Sequence, residues 1–171
     1  MMTATDGTIE KRGDTSVLRF ERHLRHPIER VWRAITEPDE IEAWLARADL
    51  ELAEEGRVAL EWLNTDENGQ RYEGSVVTGT VTKLDPPRLL EYDTDVHGLL
   101  RWELAPTDGG TDLTLTVANV FPEGALSKTM AGWHVHLDFL EEALEGERVD
   151  WSDWPLDRWA AHHERYVAKL S

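Results

Sequence analysis

A change of hydrophobic period late in the chain decides which architectures are open to it. From Ala48 to Tyr92, and in short stretches up to Val120, apolar side chains recur at every second residue. Between Ser127 and Leu144 they fall three or four apart, at Met130, Trp133, Leu137, Leu140 and Leu144. The first spacing is that of half-buried strands and the second that of one helix face. A run of strands with one apolar face needs a cover, and the helix that follows has an apolar stripe to give it. The spacing therefore predicts an α+β domain in which a curved antiparallel sheet wraps around a long helix near the C-terminus.

The rest of the chain fits this frame. Leu18, Phe20 and Leu24 alternate with charged neighbours, predicting a first strand over 16–23. Ile28, Val31, Trp32 and Ile35 form a helical stripe opened by Pro27 and interrupted by Pro38, and Ile41, Trp44 and Leu45 share a face of a second short helix. Val58, Leu60 and Trp62 alternate, Asp66, Asn68 and Gly69 mark a hairpin, and a strand over 72–84 stops at Asp85-Pro86-Pro87 because proline cannot donate to a ladder. Strands over 88–92, 98–104 and 112–120 follow, with Leu100, Trp102 and Leu104, then Leu113, Leu115 and Val117, on one face. Gly146 is placed to end the long helix. Residues 1–14 are polar and read as a flexible tail, 15–149 as the domain, and 150–171 as a helical extension. In that extension Ser152 or Asp153 caps a helix with Pro155 in its first turn and a stripe of Leu156, Trp159, His163, Tyr166 and Leu170. The stripe packs on the domain or on a second subunit.

Composition removes several classes of function. The 171 residues include 34 acidic and 18 basic side chains, a net charge of -16, so nucleic acid and anionic membrane are not expected as partners. With no Cys there is no thiol nucleophile, disulfide, cysteine zinc site or iron-sulfur cluster. The longest unbroken apolar run is Ala43 to Ala46, too short for a signal peptide or spanning helix, and a soluble, cytoplasmic protein is expected. The basic residues are 14 Arg and 4 Lys. Together with the acidic excess this fits adaptation to high salt or simply Arg-rich codon usage.

At this point the residues resemble a known family. Phe20-Glu-Arg-His-Leu-Arg-His-Pro-Ile-Glu-Arg-Val-Trp-Arg-Ala-Ile-Thr-Glu-Pro looks like the opening strand and helix pair of the SRPBCC superfamily, in its branch similar to the activator of heat-shock protein 90 ATPase homologue. Gly74, Asp85-Pro-Pro-Arg-Leu-Leu, and Gly132-Trp133 with Leu137 and Leu140 continue the likeness over roughly residues 16–146. The resemblance implies a helix-grip fold (START-like, Bet v-like). It also implies a deep pocket between sheet and closing helix for lipids, hormones, polyketide intermediates or other apolar molecules. Chaperone activation belongs to family members with a further N-terminal domain that has no counterpart in this sequence, so a chaperone partner is not expected.

Few residues carry chemistry. No Ser lies in a Gly-x-Ser-x-Gly elbow, and neither a phosphate loop nor a dinucleotide turn is present. His134 and His136 point about 200° apart on a helix and cannot share an ion. His134 and Asp138 have the spacing of a helix metal pair but lack a third ligand, so neither metal nor cofactor is expected. His162 and His163 read as ordinary helix-face residues. Parity puts Glu61 opposite Trp62, and Arg101 and Glu103 opposite Trp102, as paired outer-face charges; Glu73 cannot be placed, since a bulge near Gly74 would change the register.

The inward aromatic and aliphatic positions make the candidate ligand pocket: Trp44, Leu60, Trp62, Leu100, Trp102, Leu115, Val117, Met130, Trp133, His134 and Leu137. The expected function is binding of an apolar or amphipathic small molecule by a monomer or homodimer. The alternatives are an enzyme of the same fold, cyclase, dehydratase or hydrolase-like, using a pocket carboxylate or His, and a stress-related chaperone partner. No catalytic residue is assigned.

Overall fold

The computed structural model describes residues 6–72 and 75–170. Their order is β1 (Thr8–Arg12), β2 (Thr15–Leu24), α1 (Ile28–Thr36), α2 (Pro38–Ile41), β3 (Arg47–Leu50), β4 (Arg57–Glu61), β5 (Val76–Asp85), β6 (Leu89–Thr94), β7 (Gly98–Thr107), β8 (Gly110–Asn119), α3 (Ala125–Leu144), a 3-10 turn (Trp151–Asp153) and α4 (Leu156–Leu170). The strands form one curved antiparallel sheet in the order β1-β2-β8-β7-β6-β5-β4-β3. β2 skips past the two helices to pair with β8, which brings the two ends of the domain side by side.

The two-residue period sets the inner face. Leu18 pairs with Val117 and Phe20 with Leu115, while Leu100 and Trp102 face the same two residues from β7. On β6, Leu90 and Tyr92 lie opposite Trp102 and Leu100, so adjacent strands present one continuous apolar layer. Across it runs α3, whose Met130, Leu137 and Leu140 are fully buried. Each such side chain contributes roughly 1.5–3 kcal/mol of burial. Pro27 and Pro38 act as read: α1 starts after Pro27, and Pro38 sits in the first turn of α2. Gly146 ends α3 in the left-handed region, with φ of 94°. No helix of the described residues is long and apolar enough to cross a membrane.

Three features differ from the sequence expectation. Residues 8–12 are not a tail but an edge strand, antiparallel to β2. They read as polar because an edge strand needs few inward apolar groups, and here Ile9 is the one that packs on the core. The strand expected from residue 72 starts at Val76, and Glu73 and Gly74 lie outside the described residues, as do 1–5 and Ser171. The helix α3 is buried on more than one stripe, because α4 packs along it as well as the sheet. The partner of the extension's stripe is thus this same domain.

Candidate functional site

The space between sheet and α3, where a deep pocket was expected, is filled. Leu100, Leu115, Val117, Met130 and Leu137 have no exposed surface. Beside that space, between the sheet and the α1–α2 segment, Trp44, Leu60 and Trp102 border a void of about 10 Å³, at the lower limit of the ~10–15 Å³ one water needs. The physical reason is side-chain volume: Phe20, Trp44, Trp102 and Met130 are all fully buried in one core cluster. Trp44 and Trp102 meet edge to face at 5.8 Å, and each places its indole N–H on a buried acceptor, the Ala34 carbonyl and the Tyr92 hydroxyl. Burial pushes that Tyr92 hydroxyl up to about 12.

An open cleft of about 440 Å³ lies instead at one end of the sheet. Trp62 follows β4, Tyr72 and Ser75 precede β5, and Val96 and His97 form the β6–β7 turn, so consecutive strand ends make one wall. The N-terminal half of α3 gives a second wall through Lys128, Thr129, Gly132, Trp133 and His136. Trp154 and Trp159 from the extension close the third side. Of the residues expected at a pocket, Trp62 and Trp133 are on this cleft. Trp44, Leu60, Leu100, Trp102, Leu115, Val117, Met130 and Leu137 are core, and His134 lies on the other side of α3.

The cleft is held by hydrogen bonds that fix its ring geometry. Trp62 Nε1 donates to His97 Nε2 at 2.8 Å. An indole nitrogen can only donate, so His97 is the neutral tautomer with its proton on Nδ1. Burial pushes this imidazole down to about 4, with Asp95 pulling weakly the other way. His136 Nδ1 sits 2.9 Å from the Trp44 carbonyl, which can only accept, so His136 is protonated there and its Nε2 is left for a ligand. Burial pushes His136 to about 4 as well. Trp62 meets Trp133 edge to face at 5.6 Å and His136 at 5.3 Å. Gly98 follows His97 at φ of 72°, and a Cβ there would run into the Ala118 carbonyl, so the turn that presents His97 requires glycine.

The extension is tied over the cleft. Val149 N donates to the Ala43 carbonyl at 2.9 Å, Trp151 Nε1 to Glu42 O at 2.7 Å, and Trp154 Nε1 to Thr65 O at 2.8 Å. Trp159 stacks on His163 at 4.8 Å. With both imidazoles neutral, Lys128 is the one lining residue among those described that carries charge near pH 7, and none is Asp or Glu. Glu61, Arg101 and Glu103 are on the outer face in ion pairs, Arg47–Glu61 at 2.7 Å and Arg101–Glu103 at 3.1 Å, as parity predicted.

His134 belongs to a second cluster, between α3 and α4. Its Nδ1 lies 2.7 Å from the Tyr166 hydroxyl, which also accepts the Gly7 N–H at 2.9 Å. Its Nε2 is 3.8 Å from Asp138, and Asp138 takes a 2.8 Å hydrogen bond from His162. The third group missing from the sequence reading of His134 and Asp138 is thus His162, brought in by α4. No spacing rule could have found it, because the two helices meet only through the fold. His97, Trp154 and Trp159 were missed for the same reason.

The profile of the Activator of Hsp90 ATPase homolog 1-like protein family matches residues 25–145. The structure is similar to crystallised CalU16 of Micromonospora echinospora, with 23% identity, TM-score 0.71, and 97% of this chain and 98% of that one covered. A conserved protein of unknown function from Enterococcus faecalis is similar at 19% identity and TM-score 0.73, over 98% and 91% of the two chains. A Rhodobacter sphaeroides protein, at 25% identity and TM-score 0.61, covers 82% of this chain and 99% of its own. No curated protein matches the chain.

Proposed function

This chain belongs to the Activator of Hsp90 ATPase homolog 1-like family, with its SRPBCC-type helix-grip fold, and from that premise we propose that it binds a small aromatic or amphipathic molecule in the cleft at the end of the sheet. Family and fold support a ligand-binding domain in general terms. The observation that carries the finer reading is the concentration of four of the eight Trp, residues 62, 133, 154 and 159, around one open cleft of about 440 Å³. Ligand sites typically measure roughly 300–1,000 Å³ and combine apolar walls with a few polar groups. Here those groups are His136 Nε2, Thr129, Ser75 and Asn64, with Lys128 suited to an acidic end of the ligand.

An enzymatic reading has less support. The described lining has no carboxylate to pair with an imidazole, and His97 already spends its acceptor on Trp62. General acid–base work would fall to His136 alone.

Gly132 gives the test. It lies on the α3 wall, and the nearest atom to an added Cβ is Trp159 Nε1 at 3.9 Å, so Gly132→Leu projects into the cleft without touching the core. Leucine also favours a helix over glycine by roughly 0.8–1 kcal/mol. In a thermal-shift and fluorescence screen of aromatic and amphipathic compounds, the native protein is expected to give hits that quench Trp emission and raise Tm. Gly132→Leu is expected to keep its Tm in the absence of ligand and to weaken those hits at least roughly tenfold, about 1.4 kcal/mol. Hits that bind both proteins alike would place the ligand elsewhere, and no hits together with an empty solvent extract would remove the reading.

A further inference from the structure

His134, Asp138 and His162 each bring one ligating atom to within 4.8 Å of the other two. We propose that this triad is a divalent-cation site of the zinc type that staples α4 to α3, independently of what the cleft binds. Two imidazole nitrogens and one carboxylate oxygen are a donor set that suits Zn²⁺, whereas Mg²⁺ and Ca²⁺ take oxygen ligands.

The distances fit such an ion. His162 Nε2 lies 2.8 Å from Asp138 Oδ2 and His134 Nε2 lies 3.8 Å from Asp138 Oδ1. Ligand atoms around a tetrahedral ion with bonds of about 2.0–2.2 Å stand roughly 3.3 Å apart, between those two values. The two imidazole rings face each other at 3.9 Å with a tilt of 32°. The ion takes the place of the proton on His162 Nε2, which passes to Nδ1 of the same ring, so that His162 binds as an imidazole rather than an imidazolate. A fourth position is left for water.

The surroundings prepare the ligands. A proton on His134 Nδ1 donated to the Tyr166 oxygen leaves Nε2 bare toward Asp138 and His162, the outer-shell arrangement usual for metal-bound histidine. Burial, with His162 and the nearby guanidinium groups adding to it, keeps the His134 imidazole neutral. No hydrogen-bond partner is seen for His162 Nδ1 among the described residues, so that ring is oriented through Nε2. Asp138 and His162 retain 22% and 16% of their side-chain exposure, which gives the ion a route from solvent.

Two cations stand nearby. Arg22 Nη2 is 3.8 Å from Asp138 Oδ1, and Arg165 pairs with Asp6, itself 3.8 Å from His134 Nδ1. Arg22 stands on the Oδ1 side at 3.8 Å, and its charge moderates the affinity rather than the geometry.

The experiment uses the whole protein, stripped with chelator and titrated with Zn²⁺ by calorimetry and with Co²⁺ by visible absorption. One ion per chain and the d–d bands of tetrahedral Co²⁺ are expected, with Tm rising as Zn²⁺ is added. His162→Gln and Asp138→Asn are expected to bind roughly 10- to 100-fold more weakly and to lose the bands. His163→Gln, on the adjacent residue but turned toward Ser127, is expected to behave as the native protein. Absence of binding at millimolar Zn²⁺, or equal binding by the native protein and both His162→Gln and Asp138→Asn, overturns the proposal.

Discussion

Between pH 7 and pH 4 the protein is expected to lose most or all of its folding stability, and three buried imidazoles are the reason. Burial pushes His97 and His136 from the ordinary 6.5 down to about 4, and His134 down to about 3. These are folded-state values below the unfolded ones, so the sign is fixed. Above about pH 7 the groups are neutral in both states and contribute nothing to the pH dependence. As the pH falls through 6.5 the unfolded chain binds protons that the folded chain refuses, and stability falls until the folded pKa is reached. A gap of this size is worth about 3 kcal/mol for each group. Three of them rival the whole stability of an ordinary domain, roughly 5–15 kcal/mol.

Asp138 adds to the loss at the acid end. Burial opposes its charge, but the hydrogen bond from His162 and the neighbouring His and Arg charges hold its carboxyl below the usual range. Glu141, raised by burial, works weakly the other way. Urea midpoints read by circular dichroism at pH 7, 6, 5 and 4 should fall steeply. Trp emission should change with them, since protonating His97 breaks its bond to Trp62. A flat stability profile from pH 7 to 4.5 would mean that the imidazoles are not buried in neutral form.

Much of this was legible in the sequence, and the limits have physical causes. Alternation alone placed Leu113, Leu115 and Val117 on the inner face, and the three-four spacing from Met130 placed α3 against them. Parity also put Trp62 inward and Glu61 outward, and Trp62 is partly buried against the core and Trp133 while Glu61 pairs with Arg47. What a period cannot tell is whether the space between two apolar faces is full or hollow. That depends on the summed volume of Phe20, Trp44, Trp102 and Met130, which come from three separate elements and the turn after α2. The open cleft consequently lies at the sheet's end, where loops and the C-terminal extension meet. There Trp154 and His97 carry no periodic signal, and their roles follow only from the register of the β-ladders and the docking of α4.

Tyr166→Ala is expected to lower stability by about 3–5 kcal/mol, the range of large aromatic deletions in a core. For a chain of this length that is a fall in Tm of roughly 6–20 °C. Tyr166 has no exposed surface, and its hydroxyl joins three distant parts of the chain: Gly7 ahead of β1, His134 on α3 and its own helix α4. Around it Arg165 grips Asp6 at 2.7 Å and Lys169 reaches the Gly7 carbonyl at 3.2 Å. The N-terminal segment therefore owes its order to the C-terminal helix as well as to its ladder with β2. Tyr166→Phe keeps the ring and removes only the oxygen, leaving the Gly7 N–H buried without an acceptor at a cost of about 1–3 kcal/mol. Hydrogen exchange separates the two effects. In Tyr166→Phe the amide of Gly7 should lose protection while the β2–β8 ladder keeps it, because that ladder rests on Leu18 and Phe20 rather than on the hydroxyl. If Gly7 stays protected in Tyr166→Phe and its Tm equals that of the native protein, the edge strand is held by the ladder alone, and the hydroxyl is not what joins the two ends of the chain.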